Sequence, residues 1–309
     1  MTAAPGPMNP SDLPFGTVVP AMVTPMDRDG AVDLEAAAAL ARHLVDGGAD
    51  GLVVTGTTGE TSTLTDEENL AMFRTVVEAV GDRAKVIAGT GTNDTAHSVE
   101  LSRRAAETGV DGLLIVTPYY NKPTQAGVVA HFEKVADSVE LPIMLYDIPG
   151  RTGIPLSADT LIRLGGHPRI VAVKDAKADL TEATRVMAES DLLFYSGDDG
   201  LTVPWMAIGA VGLVGVTSHV DTPRFRRMID AMRSDDLATA RGLAYELEPV
   251  VRATMTHVPG AVAAKQILHW QGVLPGHTVR LPYVEATQDE LAVMRADLEG
   301  SVVQDTIGA

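Results

Sequence analysis

The chain has 309 residues, 45% hydrophobic and 21% charged, with a net charge of −17 and no cysteine. Length and apolar content suffice for one large core. The acidic balance lacks the electrostatic footprint for nucleic acid or an anionic membrane, and the missing cysteine excludes disulfides, thiolate catalysis and Cys-ligated zinc. The start, Met1 to Phe15, is rich in Pro and Gly and has neither the basic beginning nor the apolar stretch of a signal peptide, so residues 1–13 read as a flexible tail. No run approaches the roughly 18 apolar residues of a membrane span, and a cytoplasmic location is the expectation.

Short apolar runs recur along the chain. They are Thr17–Val23, Gly51–Thr55, Val86–Gly89, Gly112–Val116, Pro142–Tyr146, Ile170–Lys174, Leu192–Ser196 and Val211–Val216. Helical patterns lie between them at 33–45, 66–80, 94–107, 126–138, 157–164, 179–188, 201–208 and 223–232. The second helix is preceded by Thr65-Asp66-Glu67-Glu68, a capping box. Buried strands alternating with helices imply a parallel sheet. Eight such units over residues 14–233 match an α/β fold of the (β/α)8 TIM-barrel type. A doubly wound sheet usually carries a Gly-rich phosphate turn after its first strand, whereas here the first run ends in Thr24-Pro25. Beyond residue 234 only helical patterns remain, at 238–257, 260–272 and 288–299, the last with the capping box Thr287 to Glu290. Residues 234–309 are therefore expected to be a helical appendage that covers a barrel face or mediates assembly.

In such barrels the chemistry sits at the C-terminal ends of the strands. There the chain places Gly56-Thr57-Thr58-Gly59-Glu60, Gly89-Thr90-Gly91-Thr92-Asn93, Thr117-Pro118-Tyr119-Tyr120-Asn121, Tyr146 followed by Asp147-Ile148-Pro149-Gly150-Arg151, then Lys174, and Gly197-Asp198-Asp199. Of six lysines only Lys174 closes an apolar run; Lys85 opens a strand, Lys122, Lys134 and Lys265 read as loop or helix residues, and Lys177 lies near the mouth but past its strand. A desolvated lysine loses part of its charge and becomes an amine nucleophile that forms Schiff bases with carbonyl compounds. A carbinolamine must then lose water, and Tyr146 on the neighbouring strand, with Thr57 and Tyr120, can supply a hydroxyl relay. The Gly-Thr-Thr-Gly turn can hold a carboxylate through N–H groups and hydroxyls; Arg151 can hold a second one in bidentate fashion. Taken singly, Tyr146 also reads as a core aromatic, Arg151 as a surface ion pair and the turn as an ordinary tight loop. Asp198-Asp199 reads as a helix N-cap rather than a metal ligand pair. No nucleotide-binding glycine spacing and no HExxH histidine pair is present.

On these motifs the chain resembles the pyruvate-dependent class I aldolase superfamily, which includes N-acetylneuraminate lyase, and within it the 4-hydroxy-tetrahydrodipicolinate (dihydrodipicolinate) synthases. The resemblance covers about residues 14 to 300 and rests on Gly56-Thr57-Thr58-Gly59-Glu60, Thr117-Pro118-Tyr119-Tyr120-Asn121, Tyr146 through Gly153, Val173-Lys174-Asp175-Ala176 and Ser196-Gly197-Asp198-Asp199. It implies a lyase that condenses pyruvate, as a Schiff base on Lys174, with L-aspartate 4-semialdehyde on the route to diaminopimelate and lysine. By the same resemblance Tyr146, Thr57 and Tyr120 form a proton relay, Tyr120 reaching into a neighbouring subunit's site. Thr58 would bind the pyruvate carboxylate, Arg151 the carboxylate of aspartate semialdehyde, and Gly197 and Val214 would line the site. The family is usually a homotetramer, a dimer of tight dimers, and needs no metal or organic cofactor.

One departure concerns feedback by lysine. In sensitive members a carboxylate stands at the position matching His97 and histidines match Asp66 and Asn69, while Asn93 and Tyr119 are kept. Weak or absent lysine inhibition is therefore the expectation. Two other functions fit the same motifs: an aldolase acting on a 2-keto-3-deoxy sugar acid or N-acetylneuraminate, which would generally lack an arginine at position 151, and a catalytically silent ligand-binding barrel, which would have no need of Lys174, Tyr146, Thr57 and Tyr120 together.

Overall fold

The computed structural model describes residues 12–308. Most of the expected flexible tail, residues 1–13, lies outside that range, and Leu13 within it is buried. Eight strands form: β1 Val18–Pro20, β2 Gly51–Val54, β3 Lys85–Gly89, β4 Gly112–Val116, β5 Ile143–Asp147, β6 Ile170–Asp175, β7 Leu193–Ser196 and β8 Gly212–Gly215. They pair in parallel in the order β1-β8-β7-β6-β5-β4-β3-β2. A parallel bridge from Ala21 to Val53 and the Met22 N–H to Val53 carbonyl bond of 2.8 Å join β1 to β2 and close the ring. The strand expected over 17–23 is shorter in β1, where Pro20 has no N–H to extend the ladder.

Helices cover the outside: α1 Leu34–Asp46, α2 Asp66–Val80, α3 Thr95–Ala106, α4 Gln125–Ala136, α5 Pro149–Thr152, α6 Ala158–Gly165, α7 Leu180–Glu189, α8 Thr202–Ala207 and α9 Thr222–Arg233. Side chains set where they begin. Asp33 accepts from Ala36 N–H before α1, and Thr65 and Glu68 form the reciprocal capping box expected for α2. The short helix α5 matches none of the expected helical patterns; Pro149 opens it and Gly153, at φ +82°, ends it.

The strands alternate by the two-residue period of a pleated sheet. Val19, Val53, Ile87, Leu114, Met144, Tyr146, Ala172, Tyr195 and Val214 fill the barrel interior. Leu52, Val54, Val86, Leu113, Leu145 and Val173 face the helices. At the lower end, Asp50 accepts from Thr17 N–H and Val18 N–H, both at 2.7 Å, and pairs with Arg226 at 3.0 Å, tying the start of β1 to β2 and α9.

The chain ends in α10 Leu237–Met255, α11 Gly260–Trp270 and α12 Gln288–Leu298. Leu243 and Leu247 of α10 pack with Phe225, Met228 and Ile229 of α9. Lys265, expected to be an ordinary helix residue, is 1% exposed on α11 and pairs with Glu60 at 2.5 Å. Lys265 also donates to Thr278 carbonyl, while Glu60 accepts from Arg280 N–H at 2.9 Å. Arg280 continues to Glu68 and to the Thr63 carbonyl. The C-terminal helical region is thus wired to the turn that follows β2. Removing one partner of a buried pair leaves an uncompensated charge, whereas removing both does not. Lys265→Met alone should cost about 3–5 kcal/mol of stability in urea unfolding, and the double variant Glu60→Gln, Lys265→Met should recover most of it; a single variant as stable as the parent would contradict this reading of the pair.

Candidate active site

Lys174 and Tyr146 are register partners on β6 and β5, two residues beyond Ala172 and Met144, and therefore point into the upper barrel. Lys174 is 4% exposed, with Nζ 4.1 Å from the centroid of the Tyr146 ring. Among the described residues no hydrogen bond or ion pair holds this ammonium. Burial pulls its pKa down to about 8, opposed by the Asp199 carboxylate and assisted by Arg151. The fall from 10.5 corresponds to about 3 kcal/mol in favour of the neutral amine. A cation–π contact favours the charged form by about 0.5–2 kcal/mol, so desolvation prevails over the tyrosine ring.

Tyr146 is buried as well, and loss of solvent pushes its phenol up to about 12, with Arg151 pulling down and Tyr283 pushing up. It therefore rests as a neutral proton donor. Its carbonyl accepts from Thr117 N–H and Thr117 Oγ1, both at 3.0 Å, which fixes its place between β4 and β5.

Asp199 lies just after β7. The expected cap is made by Asp198, which accepts from Gly200 N–H at 2.9 Å. Asp199 instead turns inward, is 4% exposed, and accepts from Val216 N–H and Thr217 N–H at the exit of β8. Burial pushes it up to about 6. Gly197 is needed at its position: its N–H bonds Asp175 carbonyl at 2.7 Å, and a Cβ would stand 2.8 Å from that oxygen. Val214 is fully buried on the inner face of β8.

The Gly-Thr-Thr-Gly turn winds as a single 3-10 turn, Thr57–Gly59. Glu60 follows in the left-handed region at φ +57°, held there by Lys265 and Arg280, and Thr24 Oγ1 donates to Gly59 carbonyl at 2.7 Å. Among the described residues, five non-glycine residues in the loops that follow strands take positive φ: Thr55 at 49°, Glu60 at 57°, Tyr120 at 73°, Lys122 at 45° and Ala178 at 64°. Such backbone is costly and is retained where the surroundings impose it.

Thr57, Tyr119, Tyr120, Ile148 and Arg151 line a cavity of about 480 Å³. Lys174, Tyr146, Thr58, Gly197 and Val214 are not among its lining residues. Arg151 connects the two groups, lining the cavity and acting electrostatically on both Lys174 and Tyr146. No carboxylate of the described residues pairs with Arg151. Tyr120 is 89% exposed, and among the described residues no hydrogen bond joins the hydroxyls of Tyr120, Thr57 and Tyr146 within one chain. The structure thus gathers Lys174, Tyr146 and Arg151, and separately Arg151, Thr57 and Tyr120.

The other side of the same cavity carries Asp66, Asn69, Asn93 and His97. Two carboxylates are present there, and both are engaged: Asp66 lies 3.0 Å from His97 Nε2 and 3.6 Å from Arg104, and Asp94 accepts from Ala96 N–H at 2.8 Å. Sequence reasoning also missed the inward turn of Asp199 and the approach of Tyr283. Asp199 could have been found from its place beside the lysine-bearing strand. Tyr283 had no local signal, because it reaches the mouth through the Arg280 link. Among the described residues no group of three or more acidic or histidine side chains is placed to hold a metal ion, and no helix is long and apolar enough to cross a membrane.

The dihydrodipicolinate synthetase family model matches residues 14–300. A 4-hydroxy-tetrahydrodipicolinate synthase of Kineococcus radiotolerans is 54% identical over 92% of both chains. Among solved structures, a dihydrodipicolinate synthase of Bacillus anthracis superposes with a TM-score of 0.88 at 41% identity, covering 92% of this chain and 98% of its own. One from Cyanidioschyzon merolae with lysine bound superposes at 0.89 with 38% identity, over 93% and 98%. Matched along nearly its whole length by sequence and by fold, the chain belongs to the dihydrodipicolinate synthetase family.

Proposed function

We propose that this chain condenses pyruvate with L-aspartate 4-semialdehyde as a 4-hydroxy-tetrahydrodipicolinate synthase, with Lys174 as the nucleophile. The observation that carries the reading is the desolvated amine of Lys174 against Tyr146 at the C-terminal end of the barrel. With its pKa near 8, about a tenth of the side chain is neutral at pH 7, against about one part in three thousand for an ordinary lysine. The neutral nitrogen adds to the keto carbon of pyruvate; the carbinolamine loses water, its hydroxyl taking a proton from Tyr146, to leave the Schiff base. The tyrosinate so formed takes a methyl proton to give an enamine, whose carbon attacks the aldehyde, and the restored Tyr146 phenol protonates the resulting alkoxide. Ring closure by the substrate's amine on the imine carbon then releases Lys174. No metal or organic cofactor enters this scheme.

Thr58, Gly197 and Val214 are assigned to the pyruvate end. Arg151, an exposed guanidinium with no internal carboxylate partner, is assigned to the carboxylate of the second substrate. Thr57 and Tyr120 are assigned to the proton relay. Tyr120 is exposed and backbone-strained in the single chain, which suits completion of the site in a second copy within a homotetramer. Arg151 also favours the synthase over a sugar-acid aldolase, which has no second acid to clamp.

Three results are expected. Lys174→Ala should lower kcat by about a thousand-fold or more in a condensation assay, and the parent protein should not cleave N-acetylneuraminate at a comparable rate; cleavage without condensation would move the function to the lyase branch. As only the unprotonated amine attacks, kcat/KM for pyruvate should rise about tenfold per pH unit and level off near pH 8; a profile flat from pH 6 to 9 would contradict a titrating nucleophile. Because Asp66 is already engaged by His97 and Arg104 and Asp94 by the Ala96 N–H, millimolar L-lysine should leave most of the activity in place; strong suppression at that concentration would show that the crevice still offers the ammonium a counter-charge.

A further inference from the structure

A second buried charged cluster stands directly behind the proposed site, and the reaction scheme makes no use of it. Asp147 and Asp175 follow Tyr146 and Lys174, pair in register, and by strand alternation face the helices rather than the barrel. Both are essentially inaccessible to solvent. Lys177 reaches over them: its Nζ is 2.9 Å from Glu182 Oε2 and 3.6 Å from Asp147 Oδ2. It also donates to Leu156 carbonyl at 2.9 Å, while Asp147 accepts from Leu156 N–H at 3.2 Å. Leu156 is itself fully buried, and Glu182 accepts from Ala158 N–H just beyond it. The segment that leaves β5 at Asp147 is therefore gripped again at Leu156 by the same ion pair. Midway sits α5 with Arg151, whose own turn is made only of local bonds, Arg151 N–H and Thr152 N–H to Ile148 carbonyl and Gly153 N–H to Pro149 carbonyl.

We propose that Lys177 is a positioning residue: by holding Leu156 and Asp147 together it fixes the loop carrying Arg151, and so sets the affinity for the carboxylate-bearing second substrate without affecting capture of the keto acid. The inference rests on the assignment of Arg151 made above. Replacing the ammonium with an apolar chain of similar length removes the cation that acts on Asp147, Asp175 and Glu182 together. Burial already pushes Asp147 up to about 7 with Lys177 beside it; without it the carboxyl would be protonated at neutral pH and would accept more weakly from Leu156 N–H. The loop would lose its bond at the Leu156 carbonyl and be held more weakly at the Leu156 N–H, leaving Gln125 to hold the Pro155 carbonyl and the Ser157 N–H on either side, and displacement of a clamping side chain by even an ångström is costly to a reaction. Lys174 is held separately, in the ladders of β6 with β5 and β7, and none of the bonds of Lys177 reaches it.

The test is steady-state kinetics on Lys177→Met, Lys177→Arg and Arg151→Met. Lys177→Met should raise KM for aspartate semialdehyde about tenfold while KM for pyruvate stays within about twofold, and Lys177→Arg should restore most of the loss. A merely structural role would move both constants together or lower kcat alone, and either result overturns the proposal. If Arg151→Met raises KM for the semialdehyde and Lys177→Met does not, the proposal alone fails; if Arg151→Met has no such effect, the assignment of Arg151 fails and the proposal with it. Should Lys177→Met not fold, Glu182→Gln, which releases the ammonium from its 2.9 Å partner, must show the same split in smaller measure, and its absence overturns the role.

Discussion

Withdrawal of water from one ammonium is the constraint around which this barrel is arranged. Lys174 stands near the end of a strand paired in parallel on both sides, with a tyrosine ring against its nitrogen and no carboxylate bonded to it. A lysine so placed would ordinarily be a defect, since an isolated buried charge is costly. The proposed chemistry turns that cost to use. The amine is driven toward its neutral, nucleophilic form, and Asp199 moderates the shift from across β7 and β8 without pairing with it.

The loops around the amine are held by a different kind of interaction. Two ion-paired lysines, the buried Lys265 with Glu60 and the half-buried Lys177 with Asp147 and Glu182, sit outside the barrel interior and act on backbone. One steadies the turn that carries Thr57 and Thr58 from the C-terminal helices. The other steadies the segment that carries Arg151 from within the barrel's own connections. Buried ion pairs contribute little net stability compared with apolar packing of the same volume. Their value here lies in geometry: each fixes a peptide group whose neighbours present hydroxyls or a guanidinium to the mouth.

The sequence reveals whatever is local. Eight apolar runs, the capping pairs Thr65 with Glu68 and Thr287 with Glu290, and a lysine closing an apolar run each carry their signal within a few residues, and each run forms a strand, the first shortened to Val18–Pro20. What depends on distant segments meeting is not legible in that way. Lys265 looks like any helix lysine until Glu60, 205 residues earlier, is seen beside it. Lys177 looks like a residue past the end of a strand, and only the return of the chain at Leu156 gives it a task. The positive φ of Tyr120 has no compositional signature, because Tyr is not a residue that favours that region. In the crevice, too, the contact of Asp66 with His97 at 3.0 Å joins two helices and is not legible from either residue alone.

The most direct measurement is to incubate the protein with pyruvate, reduce with borohydride, digest it and locate the added mass among its six lysines. A single adduct on the peptide bearing Lys174 is the predicted result. An adduct on Lys177 or any other lysine, or no adduct at all, would contradict the central claim that the desolvated amine at the end of β6 captures the keto acid.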